Sequence, residues 1–312
     1  MNIHSIGGIN SMTLIKKISL VLVSLSLVAV SSVSSAKPFE PKKPIELIIP
    51  AGQGGGADEI ARLVQGVIEK NDYASKPMIP INKKGGSGGE AMTYVKKKAG
   101  DEHTIMITLN NVLTTPTNQP ELGIDFFNDF TPLARLITDT FLVWIATEGK
   151  NTQGVETFDD FIALAKQGNL VAGGTGSMSE DELLLGMMRG QFGFDAKYVP
   201  YSGGGAVAKG LVGGESDFTL NNPSEQMGFY QSGDSKALVM MTPERNNAFP
   251  EVPSSYELGY PDLEYYMMRA FMAPAGVDAE VRDYYTGLLH TVYHDSEFQT
   301  FNIDDGKLMS WL

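Results

Sequence analysis

The sequence has no cysteine and only four histidines in 312 residues. Without cysteine there is no disulfide, no thiolate nucleophile, no thiolate metal site and no residue for lipid attachment behind a cleaved leader. A zinc-type site would have to rely on histidines, and His4 lies in the leader-like start. His290 and His294 stand four apart but lack the acid between them that completes H-E-x-x-H, so a solvated helix face is their reading. Basic residues are also scarce, with 24 Lys and Arg against 37 Asp and Glu. That balance excludes nucleic acid and anionic lipid surfaces as partners. Long hydrophobic runs are missing too. The run Ile18–Val30 falls short of the roughly 20 residues a membrane-spanning helix needs.

That short run has a specific context. Lys16 and Lys17 precede it, and Ser-Ser-Val-Ser-Ser-Ala follows, with small residues at Ser34 and Ala36. A basic start, a short apolar core and small residues at −3 and −1 predict a secretory signal peptide over residues 1–36, with Met12 as a possible alternative start. Its removal leaves 22 basic against 37 acidic residues, net −15. With no cysteine to lipidate, the expected location is the periplasm, in free diffusion.

The remaining chain alternates apolar runs with helical periods. Strands are predicted at Glu46–Ile49, Met78–Ile81, Ile105–Leu109, Phe141–Ala146, Leu170–Ala172, Lys197–Pro200 and Asp217–Leu220. Helices are predicted at Asp58–Lys70, Glu90–Ala99, Phe158–Lys166, Glu180–Phe192, Ala206–Val212 and Val281–His294. Thr157 with Asp160, and Ser179 with Glu182, read as capping boxes, and Gly168 as a helix stop. Strand, loop and helix in repetition predict an α/β fold with mostly parallel sheets. The pattern runs over about 45–110 and again over about 170–222, which gives two lobes with a cleft between them. The expected partition is residues 37–139 plus 260–312 for one lobe and 140–259 for the other. The hinge crossings are expected near Ile137–Phe141 and Gly259–Ala270.

Four glycine-rich loops each follow a predicted strand: 50–58, 82–89, 173–177 and 202–205. Glycine lets backbone approach a ligand closely, and the helix that follows offers free N–H groups and the positive end of its dipole. Such loops form anion sites without any cationic side chain. Asp58 is either a helix cap or a ligand contact, and Arg62, four residues on, is placed to pair with it. Asn110, Asn111, Asn221 and Asn222 end strands as turn residues or amide donors. Thr175 and Ser177 can donate hydroxyls or cap a helix. Gly85-Gly86-Ser87-Gly88-Gly89 also fits G-x-S-x-G, which raises a hydrolase alternative with Ser87 as nucleophile and a downstream histidine. The motif follows only the second strand of the mature chain, with three residues between strand and motif, and glycine-rich stretches match it by chance. A phosphate loop is excluded because no G-x-x-x-x-G-K-[ST] is present.

The loops taken together resemble those of the tripartite tricarboxylate transporter substrate-binding proteins, the Bug family. Ile48 to Asp58 is similar to the family's P-x-x-x-G-G-G-T-D-like opening, and Asn82 to Gly89 to its N-[RK]-P-G-x-G-G. Asp129 to Ala134 is similar to D-F-T-P-V-A, Val199 to Gly205 to V-P-Y-K-G-G-G, and Phe271 to Gly276 to F-A-P-A-G. The likeness runs in order through nearly all of the mature chain. It implies a two-lobed periplasmic-binding-protein fold of type II kind, with two domains joined by a hinge. It also implies a non-enzymatic monomer without cofactor or metal, capture of a small carboxylate, and delivery to a two-subunit membrane permease. A co-receptor for a sensor kinase is the other role compatible with the fold. The ligand-binding residues it implies are Gln53, Gly54, Gly55, Gly56, Ala57, Asp58, Gly86, Ser87, Gly88, Asn110, Thr175, Gly176, Ser177 and Asn222. Three positions depart from the pattern. Ala57 replaces a threonine, Ala51 an aromatic and Lys84 a proline. Family members usually continue past the position of Leu312, so a truncated chain is expected.

Overall fold

Apart from Met1, the computed structural model describes residues 38–304 and 306–312. The expected signal peptide lies outside these described residues. In chain order the elements are β1 (Ile45–Ile49), α1 (Gly56–Lys70), β2 (Met78–Asn82), α2 (Gly89–Lys96), β3 (Thr104–Thr108), α3 (Asn111–Asn118) and α4 (Phe126–Asp129). Then come β4 (Phe130–Thr140), β5 (Leu142–Ala146), α5 (Phe158–Ala165), β6 (Leu170–Thr175), α6 (Glu180–Phe192), β7 (Ala196–Tyr201) and α7 (Gly204–Val212). The chain finishes with β8 (Phe218–Asn221), α8 (Pro223–Ser232), β9 (Ser235–Met240), β10 (Tyr266–Pro274), α9 (Ala279–Tyr293), α10 (Ser296–Asp304) and β11 (Leu308–Met309).

Two sheets result. One has strand order β11-β4-β10-β3-β1-β2, the other β7-β6-β8-β5-β9. The expected parallel pairing is present in β2-β1-β3 and in β7-β6-β8, where helices cross over between neighbours. The remaining pairings are antiparallel, so each sheet is mixed. The reason lies in the crossings. The chain passes from the first sheet to the second at Phe141, between β4 and β5, and returns between β9 and β10. β4 and β10 pair antiparallel along nine positions, from Tyr266 opposite Thr140 to Pro274 opposite Phe130.

The first helix shows how the sequence forms these layers. Ile60, Ala61, Val64, Val67 and Ile68 fall on one face of α1 and are all buried. Each fully buried branched side chain there contributes about 1.5–3 kcal/mol. The Thr157–Asp160 capping box forms as expected, and Gly168 adopts φ 84° just past that helix. The Ser179–Glu182 box does not form. Ser179 makes no cap bond and instead lies 3.3 Å from the Tyr198 hydroxyl, while Glu182 accepts from the Met178 amide at 2.6 Å.

Candidate functional site

A cavity of about 310 Å³ lies between the two sheets, at the carboxyl ends of the parallel strands. Four helices begin at its wall. Gly55, Gly56 and Ala57 open α1, Ser179 to Asp181 open α6, Gly203 and Gly204 open α7, and Asn222 precedes α8. None of the four has a side-chain cap. Each helix start carries roughly half a positive charge.

Close approach at two glycines makes this convergence possible. A Cβ on Gly56 would stand 2.5 Å from Nη2 of Arg269, and one on Gly204 would overlap the Glu225 carboxyl. The backbone can therefore lie directly against both charged groups. Arg269, on β10, is 2% exposed and donates to Asp139 at 2.6 Å and to Asn222 Oδ1 at 3.0 Å. A guanidinium therefore also stands in the wall, beside the helix starts expected there.

The expected site residues divide. Gly55, Gly56, Ala57, Ser87, Thr175, Gly176 and Asn222 line the cavity. Gln53, Gly54, Asp58, Gly86, Gly88, Asn110 and Ser177 do not. Asp58 is 3% exposed and holds the loop together: it accepts from the Gly54 amide at 2.9 Å, from Asn82 at 2.9 Å and from Arg62 Nε at 3.0 Å. Burial pushes its carboxyl upward, but these donors outweigh that and leave it below its ordinary range. Asn110 ties β3 to β10, donating to the Tyr266 carbonyl at 2.8 Å and accepting from the Met268 amide at 3.0 Å. Its neighbour Asn111 lines the cavity and donates to the Ser87 carbonyl at 3.0 Å. Ser177 offers its carbonyl to the Ser87 hydroxyl at 2.8 Å, a bond across the cleft. Gly88, at φ 93°, packs against the Asn111 side chain. The fourth glycine loop contributes Ser202, Gly203 and Gly204.

Three acidic wall residues, Glu180, Asp181 and Glu225, escaped the sequence reading as site residues, as did Arg269. Glu180 and Asp181 are each 5% exposed, and Glu225 is partly exposed. Glu180 accepts from the Thr114 hydroxyl at 3.3 Å, Asp181 from the Thr175 amide at 2.7 Å, and Glu225 from the Gly56 amide at 2.8 Å. Burial raises all three carboxyls above their ordinary values, Asp181 most of all, because it also feels the charges of Glu225 and Glu180.

The alternative of a serine hydrolase finds no support in this geometry. The Ser87 hydroxyl donates to a backbone carbonyl, not to a base. His290 and His294 pair with each other at 3.2 Å, and His290 packs edge-on against Trp311.

The family model described as the tripartite tricarboxylate transporter family receptor matches residues 60–304. The chain belongs to this family. Its members are solute-binding proteins and not enzymes, which removes the hydrolase alternative. BugT of Bordetella pertussis is 24% identical over 274 residues, covering 86% of this chain and 82% of BugT. The UPF0065 protein of the TAR-I ttuE-ttuC' intergenic region of Agrobacterium vitis is 25% identical, covering 84% of this chain and 75% of its own length. Among solved structures, periplasmic binding protein BugD superposes with a TM-score of 0.80 at 20% identity, over 86% of this chain and 89% of BugD. Rpa4515 of R. palustris, solved with adipate, gives 0.78 at 22% identity, over 86% and 89%. MatC of Rhodopseudomonas palustris, solved with malate, gives 0.73 at 22% identity, over 86% and 90%. These likenesses establish the two-domain periplasmic-binding-protein fold for this family member.

Proposed function

We propose that this solute-binding protein is exported by its leader, acts as a periplasmic monomer, captures a small organic acid and delivers it to a two-subunit membrane permease. The observation that carries the reading is the convergence of four uncapped helix starts and a buried arginine on one cavity. Helix dipoles, and the helix-start N–H groups other than that of Gly56, favour an anionic group there without needing a mobile side chain. The carboxylates in Rpa4515 and MatC support the same ligand class.

The hinge is proposed where the chain crosses between sheets, at Phe141 and in the segment before β10. Contacts across the cleft, such as Gly56 to Glu225 and Ser87 to Ser177, would form as the two sides close. A ligand that favours the closed arrangement shifts the balance toward it, and the permease reads that shape.

A thermal-melt series with mono- and dicarboxylates, with and without amino groups, tests the reading. A ligand that binds the native state raises the melting temperature by mass action. A rise with at least one carboxylate is expected. A well-folded sample that responds to none of them, or only to compounds without a carboxylate, would overturn it.

A further inference from the structure

The cavity wall carries more acidic side chains than basic ones. Arg269 is engaged by Asp139, a residue with no exposed surface, through both Nη2 and Nε. Lys84 also reaches the cavity, but from the exposed rim. Among the described residues, no ion pair reaches Glu180, Asp181 or Glu225. All three line the same space, and each accepts its hydrogen bond from a neutral donor: a threonine hydroxyl, the Thr175 amide and the Gly56 amide, while Arg269 acts on Glu180 and Glu225 only at longer range.

Position sharpens the point. Glu180 and Asp181 are the first two residues of α6, and Glu225 is the third of α8. Helix starts favour ionised carboxylates in their first turn, as do hydrogen bonds to backbone amides. The carboxylates therefore already occupy much of the positive field that the helix starts supply. Glu225 does so twice, since it accepts from the start of α1 and lies against Gly204 at the start of α7. A dianionic ligand would bring two further charges to a wall that already carries three acids. A cationic group on the ligand would instead give the three carboxylates their missing partner, in a setting where charge-assisted bonds are strong.

We infer that this cavity selects an organic acid that also carries an ammonium or guanidinium group, with net charge zero or positive, and that Glu180, Asp181 and Glu225 hold that group. The inference rests on the carboxylate reading for the other end of the ligand. It places the specificity of this chain in the first turns of α6 and α8, not in the glycine loops.

A matched series tests it by calorimetry near neutral pH: 5-aminopentanoate, L-lysine, adipate, pentanoate and pentylamine. Adipate is 5-aminopentanoate with a carboxylate in place of the ammonium. The expected result is binding of 5-aminopentanoate or lysine with adipate and pentanoate weaker by about tenfold or more, the loss typical of one unpaired buried charge. Adipate binding as tightly as the amino acids would overturn the inference while leaving the carboxylate reading intact. It would mean that the three acids carry protons and donate to a second carboxylate. Pentylamine binding as tightly as 5-aminopentanoate would overturn the carboxylate reading, and the inference with it. Binding of no compound in the series by natively folded protein would also overturn the inference. Glu225→Gln and Glu180→Gln keep shape and remove charge, so each should shift the preference toward adipate. Unchanged preference in both folded variants would count against the assignment.

Discussion

The amide of Gly56 and the carboxyl of Glu225 meet at 2.8 Å across the cleft, joining the start of α1 to the start of α8. Because the carboxyl is an acceptor here, glutamine can replace it without losing the bond. Glu225→Gln should therefore melt at the same temperature as the parent or higher, since it removes a carboxyl whose charged form burial disfavours. Gly56→Ala should do the reverse. Its methyl would press on Arg269 Nη2 and cost about 1–3 kcal/mol, seen as a lower urea midpoint. Equal midpoints for Gly56→Ala and the parent would show that the guanidinium yields without cost.

The Arg269–Asp139 pair is enclosed, with side chains 2% and 0% exposed. Removing one partner leaves a buried charge unmatched. Asp139→Ala should lose about 3–5 kcal/mol in urea unfolding. A loss below about 1 kcal/mol, the range of exposed pairs, would place the pair in water.

Much of the fold was legible because local chemistry sets it. The parallel units came from apolar periods and glycine loops, and the cap at Thr157 formed as its sequence reads. The antiparallel ribbon of β4 and β10 was not legible. Pro132 interrupts the first strand's pattern, and the second is a run of Met, Phe and Ala with no alternation. Arg269 had a signal, a lone charge inside the apolar run Tyr266–Pro274, but its partner Asp139 is 130 positions away. Glu180 and Asp181 read as ordinary acids at a helix start. Only the fold shows that this start faces a closed space. Asn110 and Asn111 were both polar strand-end candidates, and the turn into α3 decides which of them faces the cavity.

The raised carboxyls make stability depend on pH in a defined direction. Asp181 stands well above 3.8, and Glu180 and Glu225 above 4.5. Between those values and their folded values the native state binds more protons than the unfolded chain, so stability falls as pH rises through that window. Asp58 and Asp101 act oppositely, being held below 3.8, and their contribution is lost only in stronger acid. The ligand-free protein should therefore melt higher at about pH 5 than at about pH 7, with the difference reduced in Asp181→Asn. A melting temperature that rises from about pH 5 to about pH 7 would contradict the sign.

Ser87 sits at φ 51°, a left-handed backbone that serine adopts at some cost, and it donates across the cleft to Ser177. Ser87→Ala keeps the backbone cost and loses the bond, about 0.5–1.5 kcal/mol. Ligand affinity should weaken by up to about tenfold, since that bond belongs to the closed arrangement. Titration calorimetry with the same ligand on both proteins measures it, and identical dissociation constants would remove Ser87 from the closure.

The ribbon of β4 and β10 links the two halves through Asp139 and Arg269, while the acids of the cavity come from the opening turns of α6 and α8. The acids thus come from stretches of the chain outside the ribbon, whose own contribution to the wall is Met267 and Arg269. On the proposed reading, exchange of residues 180, 181 and 225 would change the ligand preference without rebuilding the β4–β10 ribbon.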